Sequence, residues 1–289
     1  MHTHAASRAA GRLRAAGIHT GVISGGSAEE STTLLRAALA VGADAVLVAG
    51  GDGTVSLAVQ ELAGTGIPLG IIPAGTGNDL ATALGLIEMD AVGAADAVIA
   101  GTIRTVDLAR VTRADGSTIR FGTVLAAGFD SRVNDRANRM RWPRGHMRYN
   151  IAILIEFLTL HGVPFRLEIE LADGTVESID RDLVLAAIGN GPTYGGGIPI
   201  CPSADLSDGL LDVTLVRPAG RLHLLRLLPR VYRGAHTTLD EVTVYRARSV
   251  RLDAPGVTAY ADGDPLGALS SIRVDVDPQA LTVFAPGSR

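Results

Sequence analysis

The chain has 289 residues, of which 47% are hydrophobic and 19% charged, with a formal net charge of -4. These values fit a folded chain with room for two domains and give no electrostatic reason to expect nucleic acid as a partner. One cysteine, Cys201, excludes an internal disulfide and a Cys-based zinc site and makes a reducing cytoplasm the natural compartment. Lys is absent, which excludes a Walker-A loop with its phosphate-binding Lys.

In chain order, Ala5–Ala16 reads as an amphipathic helix, Thr20–Ser24 as a weak strand, and Ser27 as the cap of a helix reaching about Ala40. Two short apolar runs follow, Ala45–Ala49 and Ile67–Ile72. Each ends in a Gly-rich polar loop that opens a helix, the pattern of buried parallel strands. Another helix is expected near Asp90–Ala100. From about residue 102 the pattern changes to strands: Thr102–Arg113, Ser117–Ala126, Pro164–Leu171, Thr175–Ile188, Asp212–Arg217, Thr243–Leu252, Ser271–Val276 and Ala280–Phe284. Ala114-Asp115-Gly116 and Asp173-Gly174 mark hairpins. Helical interruptions are expected near Ser131–Met140, His146–Leu160 and Arg221–Tyr232. The longest apolar run, Ile151–Leu160, contains Glu156 and is too short to span a bilayer.

The stretch Asp44–Ala83 organises this plan. Gly50, Gly51 and Gly53 of G-G-D-G-T expose backbone N–H groups at a helix start, a place suited to phosphate. Asp52 and Asp79 bring carboxylates to the same strand ends, where open α/β sheets bind ligands. Phosphate with acids beside it points to a nucleotide and Mg²⁺. Taken singly, each acid also reads as a helix cap or turn residue.

G-G-D-G-T followed by P-A-G-T-G-N-D resembles the catalytic domain of the diacylglycerol kinase family, in particular its bacterial soluble lipid kinases. The likeness continues through V-D-L at Val106–Leu108, A-G-F-D at Ala127–Asp130 and Y-G-G-G-I at Tyr194–Ile198. It includes P-S-A-D-L-S-D-G-L-L-D-V at Pro202–Val213, R-G-A-H at Arg233–His236 and A-D-G-D at Ala261–Asp264. The resemblance implies an α/β N-terminal domain with a parallel sheet, over residues 1–104. A mainly antiparallel β domain for the lipid substrate follows over 105–289, its extreme C-terminus returning to the first domain. It also implies an ATP-dependent lipid kinase acting on diacylglycerol or a related lipid, cytoplasmic and peripheral at the membrane. No stable protein partner is expected, and the oligomeric state, including a homodimer, stays open.

Residue by residue, the resemblance assigns Gly50, Gly51, Asp52, Gly53, Thr54, Val55, Ser56 and Thr76 to ATP, and Asp262 to the catalytic base. A positioned carboxylate suits a lipid hydroxyl, whose pKa lies far above neutral; the alternative for Asp262-Gly263 is a plain hairpin turn. Asp52, Asp79 and Asp264 are expected to hold the catalytic Mg²⁺ directly or through water, with Asp107 as a further candidate for that network. A structural Mg²⁺ is expected on Asp208 with oxygens of Asp205 and Leu210, against the alternative of a polar turn. The Arg132–Arg148 run with Trp142, and the basic Arg221–Tyr232 segment, read either as solvated faces or as lipid contacts.

The sequence also departs from the family pattern. Family members begin with a strand ending in N-P-x-S-G, whereas this chain starts at the following helix, so the first strand of the nucleotide sheet is expected to be missing. That absence keeps a non-catalytic nucleotide- or lipid-binding protein as an alternative. An NAD kinase-like enzyme, which shares the G-G-D-G-T loop, is the second. Ser56-Leu57 stands where the family has Asn-Glu, and D-G-D shortens the usual D-G-E acid by one methylene.

Overall fold

The computed structural model describes residues 2–128, 136, 162–220, 229–268 and 271–285, with His2, Thr3 and Ala268 described by their backbone alone. Helix α1 (His2–Ala15) buries Ala9, Ala10 and Leu13. Helix α2 (Ala28–Ala40) opens on Ser27, whose hydroxyl accepts the Glu30 N–H at 3.1 Å, while Glu30 accepts the Gly26 N–H at 2.7 Å. These bonds satisfy N–H groups that a helix start leaves without partners. Between the helices, the strand expected at Thr20–Ser24 is not formed. Val22 and Ile23 stand half exposed there, and among the described residues no strand pairs with the outer edge of β1 (Val46–Gly50). Without a neighbouring backbone to take its N–H and C=O groups, so short a segment has no reason to extend as a strand.

The first domain then alternates as expected: β1, α3 (Asp52–Leu62), β2 (Leu69–Pro73), the single-turn α4 (Asp79–Ala83) and α5 (Ala91–Ala100). β1 and β2 are parallel, Val46 opposite Leu69 and Gly50 opposite Pro73. The last strand, β13 (Ile272–Phe284), comes back to this sheet. Val283 pairs in parallel with Leu69, and Phe284 lies antiparallel to Ile103 at the start of β3 (Ile103–Arg113). Val55, Val59 and Leu62 of α3 pack on Leu69, Ile71, Val106, Leu108, Leu281 and Val283. Each such side chain contributes on the order of 1.5–3 kcal/mol by leaving water. On the other face α1 packs on α5 through Ala9, Leu13, Ala94 and Ala95.

β3 and β13 are long enough to cross into a second, antiparallel region. It comprises β4 (Thr118–Phe121), β5 (Val124–Gly128), β6 (Val163–Leu171), β7 (Val176–Leu183), β8 (Leu185–Gly189), β9 (Leu211–Val216), β10 (Val242–Asp253), β11 (Thr258–Ala261) and β12 (Asp264–Ala268). The hairpins expected at Asp115-Gly116 and Asp173-Gly174 join β3 to β4 and β6 to β7. Phe165, Leu167 and Ile169 alternate with exposed neighbours and meet Leu211, Val213, Val250 and Val274 in one core, the period-2 pattern of a half-buried strand. Two runs that read as single strands are divided, one at Gly122-Thr123 between β4 and β5, the other at Val184 between β7 and β8. Conversely, Ser271–Val276 and Ala280–Phe284 belong to one strand. A bulge between Asp277 and Leu281, with Gln279 at φ 52°, lies within β13.

The structure is thus a parallel α/β domain followed by an antiparallel β domain. The helices expected at Ser131–Met140 and His146–Leu160, the Arg132–Arg148 run apart from Arg136, Asp130, and most of Arg221–Tyr232 lie outside the described residues. Among the described residues no helix is long and apolar enough to cross a membrane.

Candidate active site

The two Gly-rich loops touch. A Cβ added to Gly75 would lie 2.5 Å from the Cα of Gly51, so Gly75 must lack a side chain for the loops to approach this closely, and one added to Gly51 would be tight at 3.0 Å from the Gly75 Cα. Asp52, in the first turn of α3, fastens them: its Oδ2 accepts the Asn78 N–H at 2.8 Å and its Oδ1 the Asp79 N–H at 2.7 Å. Asn78 itself sits in the left-handed region, at φ 58°, and its amide closes the second loop, accepting from Gly75 N and donating to Gly75 O, each at 2.9 Å. Gly53, Thr54 and Thr76 are exposed at the mouth, Ser56 is half-buried, and Val55 turns into the core. Gly50 and Gly51 stay together with the others at the head of α3.

Acids from the β domain arrive opposite these loops. Asp262 sits at the tip of the β11–β12 hairpin with φ 48°. Its Oδ2 accepts the Gly122 N–H at 2.7 Å, and its Oδ1 accepts the Thr123 N–H at 2.9 Å and the Thr123 hydroxyl at 2.5 Å. Burial pushes this carboxyl up, the three donors pull it down, and the negative charge of Asp52 adds a further upward push. Asp264, two residues on and exposed, lies near enough to the Ser56 side chain for that hydroxyl to pull its carboxyl down. It too is raised, first by desolvation and then by Asp52. Asp79 is 9% exposed and also raised, chiefly by burial, with Asp52 contributing. The Asp52 charge is therefore felt at three other acids, from both domains.

Asp107 is buried and does not join that group through its carboxylate. Its Oδ2 accepts the Gly209 N–H and its Oδ1 the Gln279 N–H, both at 2.7 Å. Asn190, absent from the residues singled out in the sequence, donates from its amide to Asp107 O and Gly122 O, each at 2.9 Å. Thr123 and the glycines around Gly196 are likewise partners that became visible through the acids they hold. The G-N-G run at Gly189–Gly191, placed just before Y-G-G-G-I, is the one sequence cue that marks Asn190.

In the Asp205–Asp212 loop, Asp205 Oδ1 accepts from the Ser207 N–H and hydroxyl, at 3.0 and 2.7 Å. Asp208 Oδ1 accepts the Leu210 N–H at 2.9 Å, and its Oδ2 pairs with the Arg246 guanidinium. Arg246 also stands 3.4 Å from Asp212, whose other oxygen is buried with no partner among the described residues and whose carboxyl is raised by burial. Among the described residues no three His, Cys, Asp or Glu side chains approach closely enough to form a metal cage. Asp264 and the remaining lone pairs of Asp52 are hard oxygen donors, which suit Mg²⁺ with several waters retained. The Asp208 carboxylate, already engaged by Arg246, fits a metal less well in this arrangement.

Comparisons with known proteins place the chain in a family and show the same fold. Residues 2–111 match the family model described as the diacylglycerol kinase catalytic domain, and residues 123–285 match the YegS C-terminal NAD kinase beta sandwich-like domain. A protein of Mycobacterium tuberculosis named diacylglycerol kinase is 52% identical over 98% of this chain and 90% of its own length. The chain belongs to the diacylglycerol kinase family. A family relative from Escherichia coli, named probable lipid kinase YegS, is 31% identical over 85% of this chain and 79% of its own length. The fold resembles a crystal structure of a diacylglycerol kinase from Bacillus anthracis, with a TM-score of 0.69 at 20% identity, covering 99% of this chain and 92% of that one. It is more distant from an NAD kinase of Archaeoglobus fulgidus, at a TM-score of 0.53 and 14% identity, covering 97% of this chain and 89% of that one. The two-domain plan expected from the sequence is thus the plan of this family.

Proposed function

We propose that this family member is an ATP-dependent lipid kinase that moves the γ-phosphoryl group of ATP to a hydroxyl of diacylglycerol or a closely related lipid. Phosphatidic acid is the product when the acceptor is diacylglycerol. The observation that carries the reading is the fastening of the two Gly-rich loops to the β domain: Asp52 takes the Asn78 and Asp79 amides, and Asp79 takes the Gly196 and Gly197 amides, so the loop that opens α3 faces that domain. Residues 1–104 bring the nucleotide in this reading and residues 105–289 the lipid. The N–H groups of Gly50–Gly53 at a helix start, with exposed Thr54 and Thr76, suit the ATP phosphates.

Phosphoryl transfer asks the protein for alignment, for charge neutralisation and for a proton acceptor at the attacking hydroxyl. Two acids compete for the last role. Asp262 already receives three donors from Gly122 and Thr123, which leaves it little capacity to reach a substrate hydroxyl. Asp264 is exposed and open to a substrate hydroxyl; desolvation raises both carboxyls, so accessibility is what separates them. Our assignment is therefore Asp264 as base, with Asp262 as the anchor that fixes the hairpin bearing it. Bound Mg²⁺ would supply neutralisation of the transferred charge, with Asp52 the residue suited to hold it directly or through water while Asp264 stays free to take the proton. The lipid is taken from a membrane surface, and the Arg132–Arg148 and Arg221–Tyr232 segments are the basic stretches suited to anionic headgroups.

The test is ADP release with diacylglycerol, a sphingoid base and NAD offered in turn. Turnover with a lipid supports the proposal; turnover with NAD alone, or with none of the three, defeats it. In the active protein Asp264→Asn should lower kcat by about 10²–10⁴-fold with ATP affinity preserved. Asp262→Asn should lower stability as well as rate. The assignment of the base reverses if Asp264→Asn keeps its rate and Asp262→Asn loses the rate without loss of stability.

A further inference from the structure

Asp79 reads in sequence as a metal ligand, yet its oxygens are otherwise engaged. The Gly196 N–H lies 3.1 Å from Oδ1 and 3.2 Å from Oδ2, and the Gly197 N–H lies 3.0 Å from Oδ1. Gly195, Gly196 and Gly197 have φ of 61°, 85° and 100°, a run that side chains other than glycine's rarely adopt. The successive N–H groups of Gly196 and Gly197 converge on the one carboxylate, forming a concavity of the kind that receives anions. The loop is closed on itself by Tyr194 and Ile198, whose N–H and C=O groups bond each other at 3.1 and 2.9 Å. The concavity is therefore held open by its own backbone, and the anion in it is the Asp79 carboxylate.

The backbone of the same residue is held from the other side, since its N–H donates to Asp52. A continuous chain of bonds thus runs from the first loop through Asp52 to Asp79 and on to the glycine loop of the β domain. We propose that Asp79 is a positioning residue, a clasp whose carboxylate fastens the two nucleotide-side loops to Gly195–Gly197 of the β domain in place of binding a metal ion. The glycines of Y-G-G-G-I are required because they form the receptor for that carboxylate. The clasp rests on the kinase reading for its consequence alone: it holds Asp264 and Ser56 in register across the domain junction.

The experiment compares the full chain with its Asp79→Asn variant by amide hydrogen exchange at Gly196 and Gly197, and by Mg²⁺ titration of the binding of a non-hydrolysable ATP analogue. The clasp predicts that exchange at both amides quickens by about tenfold or more. It also predicts that the Mg²⁺ concentration at half-saturation moves by less than about threefold. Unchanged exchange, or a rise of about tenfold in the Mg²⁺ requirement, overturns it. Exchange needs neither turnover nor nucleotide, so a chain that phosphorylates no lipid still decides the clasp. Should Asp79→Asn fail to fold, Gly196→Ala disturbs the receptor from the other side, where an added Cβ has Thr76 O at 3.7 Å as its nearest neighbour. In that variant kcat should fall by about tenfold with the KM for ATP little changed, and a loss confined to KM for ATP overturns the proposal.

Discussion

Gly51 and Gly75 meet backbone to backbone, with little room for a Cβ at Gly51 and none at Gly75: one added at Gly51 would stand 3.0 Å from the Gly75 Cα, and one at Gly75 would stand 2.5 Å from the Gly51 Cα. This contact sets the spacing of the two loops at the ends of β1 and β2. Gly75→Ala forces backbone against backbone, where no flexible side chain can yield. The expected cost is about 1–3 kcal/mol of stability, read by urea unfolding. The loops also part, so ATP affinity should weaken by about tenfold, read by calorimetry. Gly53→Ala, in the first turn of α3 with no atom within 4 Å of the added Cβ, is the control and should keep stability or raise it by up to about 1 kcal/mol.

Asp52 both fastens the second loop and projects its charge onto Asp79, Asp262 and Asp264. Asp52→Asn keeps the size but removes the charge and half the accepting capacity, so one of two backbone N–H groups loses its partner. The stability cost should be about 1–3 kcal/mol. The pH effect has a fixed sign. With Asp264 as the base, activity requires its ionised form and falls as the pH drops through its raised pKa. Removing a neighbouring negative charge makes that ionised form easier to reach, so the acid limb of kcat/KM should move to lower pH. A pH–rate profile of the two proteins checks this, and an unmoved limb would detach Asp52 from the proton acceptor.

The alternation of β1, α3, β2 and α5 was legible because buried parallel strands leave continuous apolar runs such as Ala45–Ala49 and Ile67–Ile72. The hairpins were legible from Asp115-Gly116 and Asp173-Gly174. The breaks at Gly122-Thr123 and Val184 were not, because apolar residues continue on both sides. What ends β4 is tertiary: the Asp262 carboxylate, some 140 residues later, takes the Gly122 and Thr123 amides. The list of acids could be read from their motifs, whereas their partners could not. Nothing local to Asp79 announces that its receptor is a glycine loop 117 residues away. Likewise nothing near Asp208 announces Arg246 as its counter-charge.

Arg246 faces both Asp208 and the buried Asp212. Arg246→Met keeps much of the stem but leaves Asp212 without its compensating charge. Breaking a buried pair costs about 3–5 kcal/mol. The guanidinium is 49% exposed, so solvent screening reduces the expected loss to about 1–2 kcal/mol. Asp212 is already raised by burial, and loss of Arg246 raises it further. The variant should therefore recover part of its deficit as the pH falls and Asp212 becomes neutral. Denaturant unfolding of both proteins at neutral and mildly acidic pH measures this, and a deficit that grows on acidification would show that Asp212 is not the group responsible.

His236 moves stability in the opposite direction. It is fully buried, its Nε2 lies 3.0 Å from the Ile200 carbonyl oxygen, and its Nδ1 has no hydrogen-bond partner among the described residues. A carbonyl can only accept, so Nε2 carries the proton and Nδ1 is the bare nitrogen. Charging the ring would add an N–H with nothing to receive it. Burial accordingly holds the His236 pKa below its ordinary value, against the Ile200 bond, which favours the charged ring. With the folded pKa depressed, the contribution of His236 to stability is full above the unfolded value of about 6.5 and is lost as the pH falls through the folded value. The carboxyls of Asp79, Asp212, Asp262 and Asp264 have raised folded pKa values and favour the fold more as the pH falls, so wild-type stability mixes both signs. His236→Gln isolates the histidine. Its side chain can still donate to Ile200 but cannot take up the acid-induced charge. The variant should lose about 1–2 kcal/mol at about pH 8, from imperfect packing and bonding. That difference should narrow or reverse on acidification, and a constant difference across the range would exclude protonation of His236 as a source of acid lability.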